Sequence, residues 1–191
     1  WEPIGCLKPG AENDGKGVNV RPFSGIIDGR GHTLTVARDG KPLLNYVREA
    51  SVRNLNLSGE HIRGYGLVDR YFVDYGEAGS YGSVRQTLQV KNVTIKSGTH
   101  ILRSGFIGGY ASGVNDVEIS DCTIEKGVVI GDDGSWGDLE ETTEDYGFVG
   151  TINHQDMVGS FAGAFNGVID NCVSYATVYG RNWVGGIIGF K

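Results

Sequence analysis

A six-residue pattern occurs four times along this chain of 191 residues. It reads apolar, any residue, Asn or Asp, apolar, any residue, apolar, and its copies lie at 52–57, 90–95, 119–124 and 169–174. The last copy departs from the pattern by ending on Ser174. In a regular strand, side chains alternate between two faces with a period of two. Apolar residues at positions 1, 4 and 6 cannot share a face of such a strand, so the residue at position 3 must bend the chain.

The Asn or Asp at position 3 predicts a corner made by a single residue. These two residue types adopt the left-handed backbone conformation more readily than other non-glycine residues. The four predicted corners are Asn54, Asn92, Asp121 and Asn171. Short strands joined by tight corners and repeated along a chain are typical of a parallel β-helix, in which successive coils stack. The alternative is four unrelated surface strands.

A second pattern, a short apolar strand flanked by glycines, alternates with the first. Its copies lie at 66–68, 105–108, 147–150, 159–163 and 185–189. The chain contains 32 glycines and 4 prolines, which is about twice the usual share of glycine. Because glycine tolerates backbone conformations that other residues avoid, we interpret the excess as corners of the coils.

The two patterns together predict an all-β fold, a parallel β-helix (solenoid) forming a single domain over residues 1–191. The copies are unevenly spaced, which predicts loop insertions near 69–87, rich in Tyr and Gly, and near 131–146, rich in acid. The chain begins without Met and ends on a complete glycine-flanked strand. We therefore expect it to be a fragment of a longer protein that contains further β-helix coils.

Two of the three cysteines, Cys122 and Cys172, occupy the same position of the repeat, directly after the corner. An odd number of cysteines, completed here by Cys6, speaks against a disulfide framework. We expect Cys122 and Cys172 to point inward in one file as free, inert thiols. A disulfide between stacked coils is the secondary alternative.

Charge and hydropathy bear on two classes of partner. The net charge is −6, whereas binding to nucleic acid needs a basic face. No apolar run reaches the length of a transmembrane helix. The sequence therefore predicts neither a nucleic-acid partner nor direct membrane insertion.

The two ends of the chain carry motifs that resemble those of a known family. They read W-E-P-I-G at 1–5, P-F-S-G-I-I-D-G-R-G-H-T-L at 22–34, N-C-V-S-Y-A-T-V at 171–178 and V-G-G-I-I-G at 184–189. They resemble bacterial surface proteins with GLUG repeats, which are adhesin-like, and similar repeats accompany the IgA-specific metallopeptidases of Gram-positive bacteria. Leu34 replaces the family's usual Ile, and an extra residue after Cys172 changes its spacing.

The resemblance implies a right-handed β-helix in a bacterial protein that is secreted or attached to the cell wall. Host or cell-surface glycans or proteins are the implied partners. No catalytic residue of the family's repeats can be transferred to this chain. The histidines do not form a zinc-binding motif, and His61, His100 and His154 are isolated in the sequence.

Acidic residues are concentrated in the second predicted insertion, with seven between 132 and 145 and no Lys or Arg. Calcium prefers oxygen ligands from such loops, and the candidate ligands are Asp132, Asp133 and Asp138. Their spacing does not match an EF-hand loop. A solvated acidic loop without a bound cofactor is therefore the preferred interpretation.

Aromatic residues mark candidate binding positions in and near the insertions. They are Tyr65, Tyr71, Tyr75, Tyr81 and Trp136. Exposed Tyr and Trp rings can stack on sugars or form protein contacts. The alternative is that these rings pack the insertions against the flank of the coils.

The sequence favours a non-catalytic structural module, a stalk or an adhesion element. A glycan-binding module that uses the aromatic residues of 65–81 is the first alternative. The second is a carbohydrate-active enzyme of the β-helix type, a polysaccharide lyase or glycosidase. Such an enzyme needs paired carboxylates or a calcium ion with a nearby base, and the sequence offers only Asp69, Arg70 and Asp74 as fragments of such a site.

Overall fold

A computed structural model describes residues 3–7, 20–71, 86–107, 115–136, 144–145, 151–152, 156–165 and 167–190. Within these ranges the chain forms strands that pair mainly in parallel and forms no helix. This part of the chain accordingly holds no helix that could cross a membrane. The predicted all-β class is confirmed.

The strands are short apart from two. The first ten are β1 (Cys6–Leu7), β2 (Val20–Arg21), β3 (Phe23–Asp28), β4 (Thr33–Thr35), β5 (Leu44–Ser58), β6 (Val68–Tyr71), β7 (Gln86–Ile95), β8 (His100–Ile101), β9 (Asn115–Ser120) and β10 (Thr123–Ile124). The others are β11 (Val129–Ile130), β12 (Glu144–Asp145), β13 (Thr151–Ile152), β14 (Asp156–Gly159), β15 (Ala162–Ala164), β16 (Gly167–Asp170), β17 (Val173–Ser174), β18 (Thr177–Val178), β19 (Asn182–Gly185) and β20 (Ile188–Phe190).

Equivalent positions of the repeat pair in register before the corner. Ile27 pairs with Val52, Val52 with Val90, Val90 with Ile119, and Ile119 with Ile169. We call this series column 1. Its members at 52, 90 and 119 are completely buried. Val52, Val90, Ile119 and Ile169 are the first apolar residues of the four copies, so the copies of the pattern align in one file.

A second series, column 2, follows the corner. Its paired residues are Leu34, Leu57, Ile95, Ile124 and Ser174. In the same sheet Leu55 pairs with Val93. The next two members of that file are Cys122 and Cys172, one position before the paired residues Thr123 and Val173.

Two further columns complete each passage of the chain. Column 3 contains Gly40, Ile62, Ile101, Ile130 and Val178. Column 4 contains Leu44, Val68, Ile107, Ala162 and Ile188, and Ile4 pairs with Leu44 ahead of them. Five successive passages, which we call coils 1 to 5, visit the four columns in the same order. The apolar core lies between these columns.

In coils 2 to 5 the glycine-flanked strands form the part of the coil around column 4. Phe106 and Phe161 stack in adjacent coils, with ring centroids 5.4 Å apart. Glycine is required here because a Cβ at Gly66 would lie 2.0 Å from the Gly105 oxygen, and one at Gly105 would lie 2.0 Å from the Ser160 oxygen. The predicted copy at 147–150 lies outside the described residues.

All four predicted corners have the left-handed backbone conformation. The φ angles of Asn54, Asn92, Asp121 and Asn171 are 52°, 52°, 55° and 48°. Their side chains also contact the neighbouring coils: Asn54 Nδ2 donates to Asp28 Oδ1 (3.1 Å), Asn92 Nδ2 to Asn54 Oδ1 (2.8 Å), and Asn171 Nδ2 to Asp121 Oδ1 (2.7 Å). In each pair the amide donates to the preceding coil.

The bounds predicted for the first insertion were too wide. Strand β6 continues to Tyr71 and β7 begins at Gln86, so residues 69–71 and 86–87 belong to strands. In the second insertion, β12 pairs antiparallel with β13. Residues 144–145 are therefore in a strand as well, and residues 72–85 and 137–143 lie outside the described residues.

Substitutions at Asn92 test the corner. An L-residue other than Asn or Asp has a cost of about 1–2 kcal/mol in the left-handed conformation, whereas glycine adopts it freely. Asn92→Gly and Asn92→Ala both lose the hydrogen bond to Asn54, so their difference isolates the backbone. We expect the free energy of unfolding in urea to be lower for the Ala variant than for the Gly variant by about 1 kcal/mol or more.

Exposed Gln89, in the same strand, is the control because its backbone φ is negative. Glycine is the less stable of the two residues in an ordinary strand. The order of the Gly and Ala variants should therefore reverse between positions 89 and 92, and the same order at both positions would contradict the corner.

Candidate functional site

Two histidines and a tryptophan meet outside column 3. His61 and His100 each precede a fully buried isoleucine, Ile62 or Ile101, so strand alternation directs the two imidazoles away from the core. Their ring centroids are 5.3 Å apart. Trp136 stacks on His61 at 4.5 Å and meets His100 at 4.8 Å in an edge contact. We call these three residues the imidazole–indole cluster.

A hydrogen bond fixes the proton arrangement of the cluster. Trp136 Nε1 lies 2.9 Å from His100 Nε2. An indole N–H can only donate, so His100 Nε2 must accept, and the neutral ring then carries its proton on Nδ1. The Gly131 carbonyl oxygen lies 3.1 Å from the same Nε2 atom. His100 and Trp136 are 9% and 8% exposed, so water has little access to this bond.

Charged groups surround the cluster on two sides. Asp133 Oδ1 lies 3.8 Å from His100 Nε2. Asp39 Oδ1 lies 4.0 Å from His61 Nδ1 and 3.5 Å from Arg63 Nε. A protonated imidazole at either position would therefore meet a carboxylate.

The two calcium candidates that lie within the described residues, Asp132 and Asp133, form hydrogen bonds within their own loop. Asp132 Oδ1 accepts from the Gly134 amide at 2.8 Å, and Asp133 Oδ1 accepts from the Ser135 amide at 3.0 Å. Hydrogen bonding from Ser135 lowers the pKa of Asp133, while burial acts in the opposite direction. Among the described residues, no group of three or more His, Cys, Asp or Glu is placed to hold a metal ion. Asp138 lies outside those residues, and calcium binding stays a prediction.

Two of the candidate aromatic rings are buried. Tyr65 is 5% exposed, its hydroxyl lies 3.3 Å from Arg103 Nη1, and the Arg103 guanidinium lies 5.6 Å from the ring centroid. Trp136 belongs to the imidazole–indole cluster. Neither ring offers the exposed face that stacking on a sugar requires, so the packing alternative describes both. Tyr71 lies in β6, and Tyr75 and Tyr81 lie outside the described residues.

The two repeat cysteines are free and stacked, as predicted. Cys172 Sγ lies 3.4 Å from the Cys122 amide nitrogen in the neighbouring coil. Burial raises the pKa of Cys122 to about 12. The thiolate is the nucleophilic form of cysteine, so this thiol is unreactive at neutral pH.

The imidazole–indole cluster was not predicted, since the histidines were interpreted as isolated. A signal was nevertheless present, because the dipeptide His-Ile occurs at 61–62 and again at 100–101. Each isoleucine belongs to column 3, which places the two histidines side by side. No comparable sequence motif predicts the position of Trp136, which lies in the acidic loop.

Comparison of the chain with protein-family models, curated proteins and solved structures gave no match. The resemblance to GLUG-repeat proteins therefore depends on the motifs at the two ends of the chain.

Trp136→Phe tests the hydrogen bond within the cluster. The variant keeps an aromatic ring but removes the indole donor to His100 Nε2, and a net loss of about 1 kcal/mol in the free energy of unfolding is expected. Long-range proton–nitrogen NMR spectra at alkaline pH should show His100 protonated on Nδ1 in the parent. In the variant the proton should move towards Nε2, where Gly131 can accept it.

Exposed His32 serves as the internal control, because its signals should be the same in both proteins. An unchanged His100 spectrum in Trp136→Phe would show that the indole does not set the tautomer.

Proposed function

We propose that the chain is a right-handed parallel β-helix that serves as a structural module of a bacterial surface or secreted protein. The observation that carries the proposal is the constant register of the four columns through five coils. A crossover between parallel strands of one sheet is right-handed in about 98% of cases. This rule supports the handedness that the GLUG resemblance implies.

The energetics of such a stack suit a stalk. Each fully buried Leu, Ile or Val contributes about 1.5–3 kcal/mol relative to an exposed one, and columns 1 to 4 repeat that burial in coils 2 to 4. Coils contact mainly their neighbours in a solenoid, so length can be added without redesign of the core. This construction supports the proposed non-catalytic role as a stalk or an adhesion element.

The proposed location is outside the cell or on the cell wall. The support is the resemblance of the motifs at 1–5, 22–34 and 171–189 to bacterial GLUG-repeat surface proteins. The proposed partners are further β-helix coils of the parent chain, and host or cell-surface glycans or proteins.

A swap experiment in the source bacterium separates a stalk from an adhesin. The segment is replaced in the parent gene by an unrelated β-helix of the same length, and cells are scored for surface display by antibody and for attachment to host cells. A stalk predicts that both display and attachment survive the swap. Display with lost attachment would assign the adhesive role to this segment, whereas no labelling of intact cells by an antibody to this segment would contradict the surface location.

A glycan-binding module remains the second candidate, with a different surface from the one first expected. Tyr175 and Tyr179 in coil 5 are 63% and 42% exposed. Exposed tyrosines of this kind can stack on sugar rings. The carbohydrate-active enzyme is kept as a third proposal, and release of unsaturated or reducing-end products from acidic polysaccharides would select it.

A glycan array tests the second candidate. If the module binds glycans through coil 5, the double variant Tyr175→Ala/Tyr179→Ala should lose at least 10-fold in affinity, since stacking on one ring is worth about 1–3 kcal/mol in comparable ring contacts. Tyr65→Phe is the matched control, because Tyr65 is buried and should not contact the ligand. Equal binding by the double variant and the parent would rule out this surface.

A further inference from the structure

The apolar interior is uncovered at coil 5, residues 167–190. Ile169 in column 1 is half-buried where Ile119 is fully buried, and Ile187 is 43% exposed where Phe161 is fully buried. A hollow of about 460 Å³ opens at this end, and its lining includes Phe165, Ile169, Cys172, Ile187 and Ile188. Apolar surface of this kind is covered in most soluble proteins.

The backbone of coil 5 offers strand edges on the same side. Within the described ranges each of its five strands pairs only with the preceding coil: β16 with β9, β17 with β10, β18 with β11, β19 with β14 and β20 with β15. Unpaired N–H and C=O groups along an edge are a template for another strand. The occupant that fits both the hollow and these edges is a further parallel coil.

The corner hydrogen bonds specify one residue of that coil. In the described pairs each corner amide donates to the preceding coil, and Asn171 donates to Asp121 at 2.7 Å. The Oδ1 atom of Asn171 is therefore the acceptor presented to the next coil. Asn at the next corner can donate to it, whereas an ionised Asp cannot.

The residue before the corner indicates which charge the next coil should carry. Lys91 pairs with Ser120, and Ser120 pairs with Asp170, so coil 5 carries an acid where an earlier coil carries a base. A Lys or Arg in the next coil would face the Asp170 carboxylate. The chain itself contains this combination twice, as Arg53-Asn54 and Lys91-Asn92.

Coil 1 of a second molecule does not meet this specification. Its residue before the corner is Asp28, in register with Arg53, and Asp28 accepts hydrogen bonds from Asn54 Nδ2 and the Arg30 amide. These bonds lower the pKa of Asp28, so it is ionised at neutral pH. Stacked in register on coil 5, Asp28 would face the carboxylate of Asp170, and Gly29 would bring no side-chain amide to Asn171.

An acid does follow an Asn corner once inside the chain, where Asp121 is the corner after Asn92. There Lys91 Nζ lies 3.6 Å from Asp121 Oδ2 and offsets the charge. No lysine stands at the equivalent position of coil 5, which is Asp170. Head-to-tail association of two copies is therefore disfavoured.

We infer that coil 5 is the docking surface for one further coil of the same β-helix, whose strand carries Lys or Arg followed by Asn at the corner. The inference rests on the proposed β-helix and deepens it by naming the residues of the next coil. It also gives the stack a direction of growth, because coil 1 presents an acid and coil 5 requires an amide.

Chain extension tests the inference. A copy of residues 86–107, which contains Lys91-Asn92, is attached after Lys191 through a flexible Gly/Ser linker. The matched control carries Lys91→Asp and Asn92→Asp in the attached copy only. We expect the Lys-Asn extension to raise the melting temperature by about 4 °C or more and to slow hydrogen exchange of amides 167–174 at least 10-fold, with a smaller effect from the control.

Equal effects of the two extensions, or no effect of either, would overturn the inference. The unextended chain should stay monomeric by light scattering, and concentration-dependent polymers of it would also overturn the inference, because coil 1 would then fit coil 5. Failure of the β-helix itself is distinguishable, because it would remove the slow exchange of amides 88–95 in the unextended chain.

Discussion

The left-handed backbone at position 3 of the repeat is the constraint on which the structure depends. With φ between 48° and 55° at the four corners, the chain turns within one residue and the alternation of side chains changes phase. The apolar residues before and after the corner can then both face the interior, as Val90 and Val93 do with no exposed surface. Without this turn, position 4 of each copy would face water and columns 1 and 2 would not share a core.

The same corners also connect neighbouring coils. Asn92 donates to Asn54, and Asn54 donates to Asp28, so the residue that bends the chain also sets its register with the preceding coil. Because all these amides donate in one direction, the two ends of the stack differ chemically. Direction and register therefore have one origin in the corner residues.

The parts of the fold that repeat were predictable from the sequence, and the parts that occur once were not. The corners and the column of Val52, Val90, Ile119 and Ile169 follow from a pattern in which each residue type has a backbone or packing reason. Column 3 was not predicted, because it contributes only short strands. The contact between His61 and His100, which lie beside column 3, was therefore not predicted either. The place of Trp136 is set by tertiary packing of a loop, for which the local sequence offers no periodicity.

The burial of the candidate aromatic residues changed their interpretation more than their positions in the fold did. Tyr65 and Trp136 lie close to where the sequence placed them, but their rings are covered by Arg103 and by the two histidines. The exposure of an aromatic residue depends on which distant parts of the chain pack against it, and a local sequence motif does not contain this information. The exposed rings of Tyr175 and Tyr179 lie in coil 5, away from the aromatic positions that the sequence predicted.

Methyl–methyl NOE spectroscopy on Val- and Ile-labelled protein measures the order of the coils most directly. The account predicts that the methyl groups of Val90 contact those of both Val52 and Ile119, and that Ile119 in turn contacts Ile169. Contacts between Val90 and Ile169, or no contact between Val90 and Val52, would contradict the in-register stack and everything inferred from it.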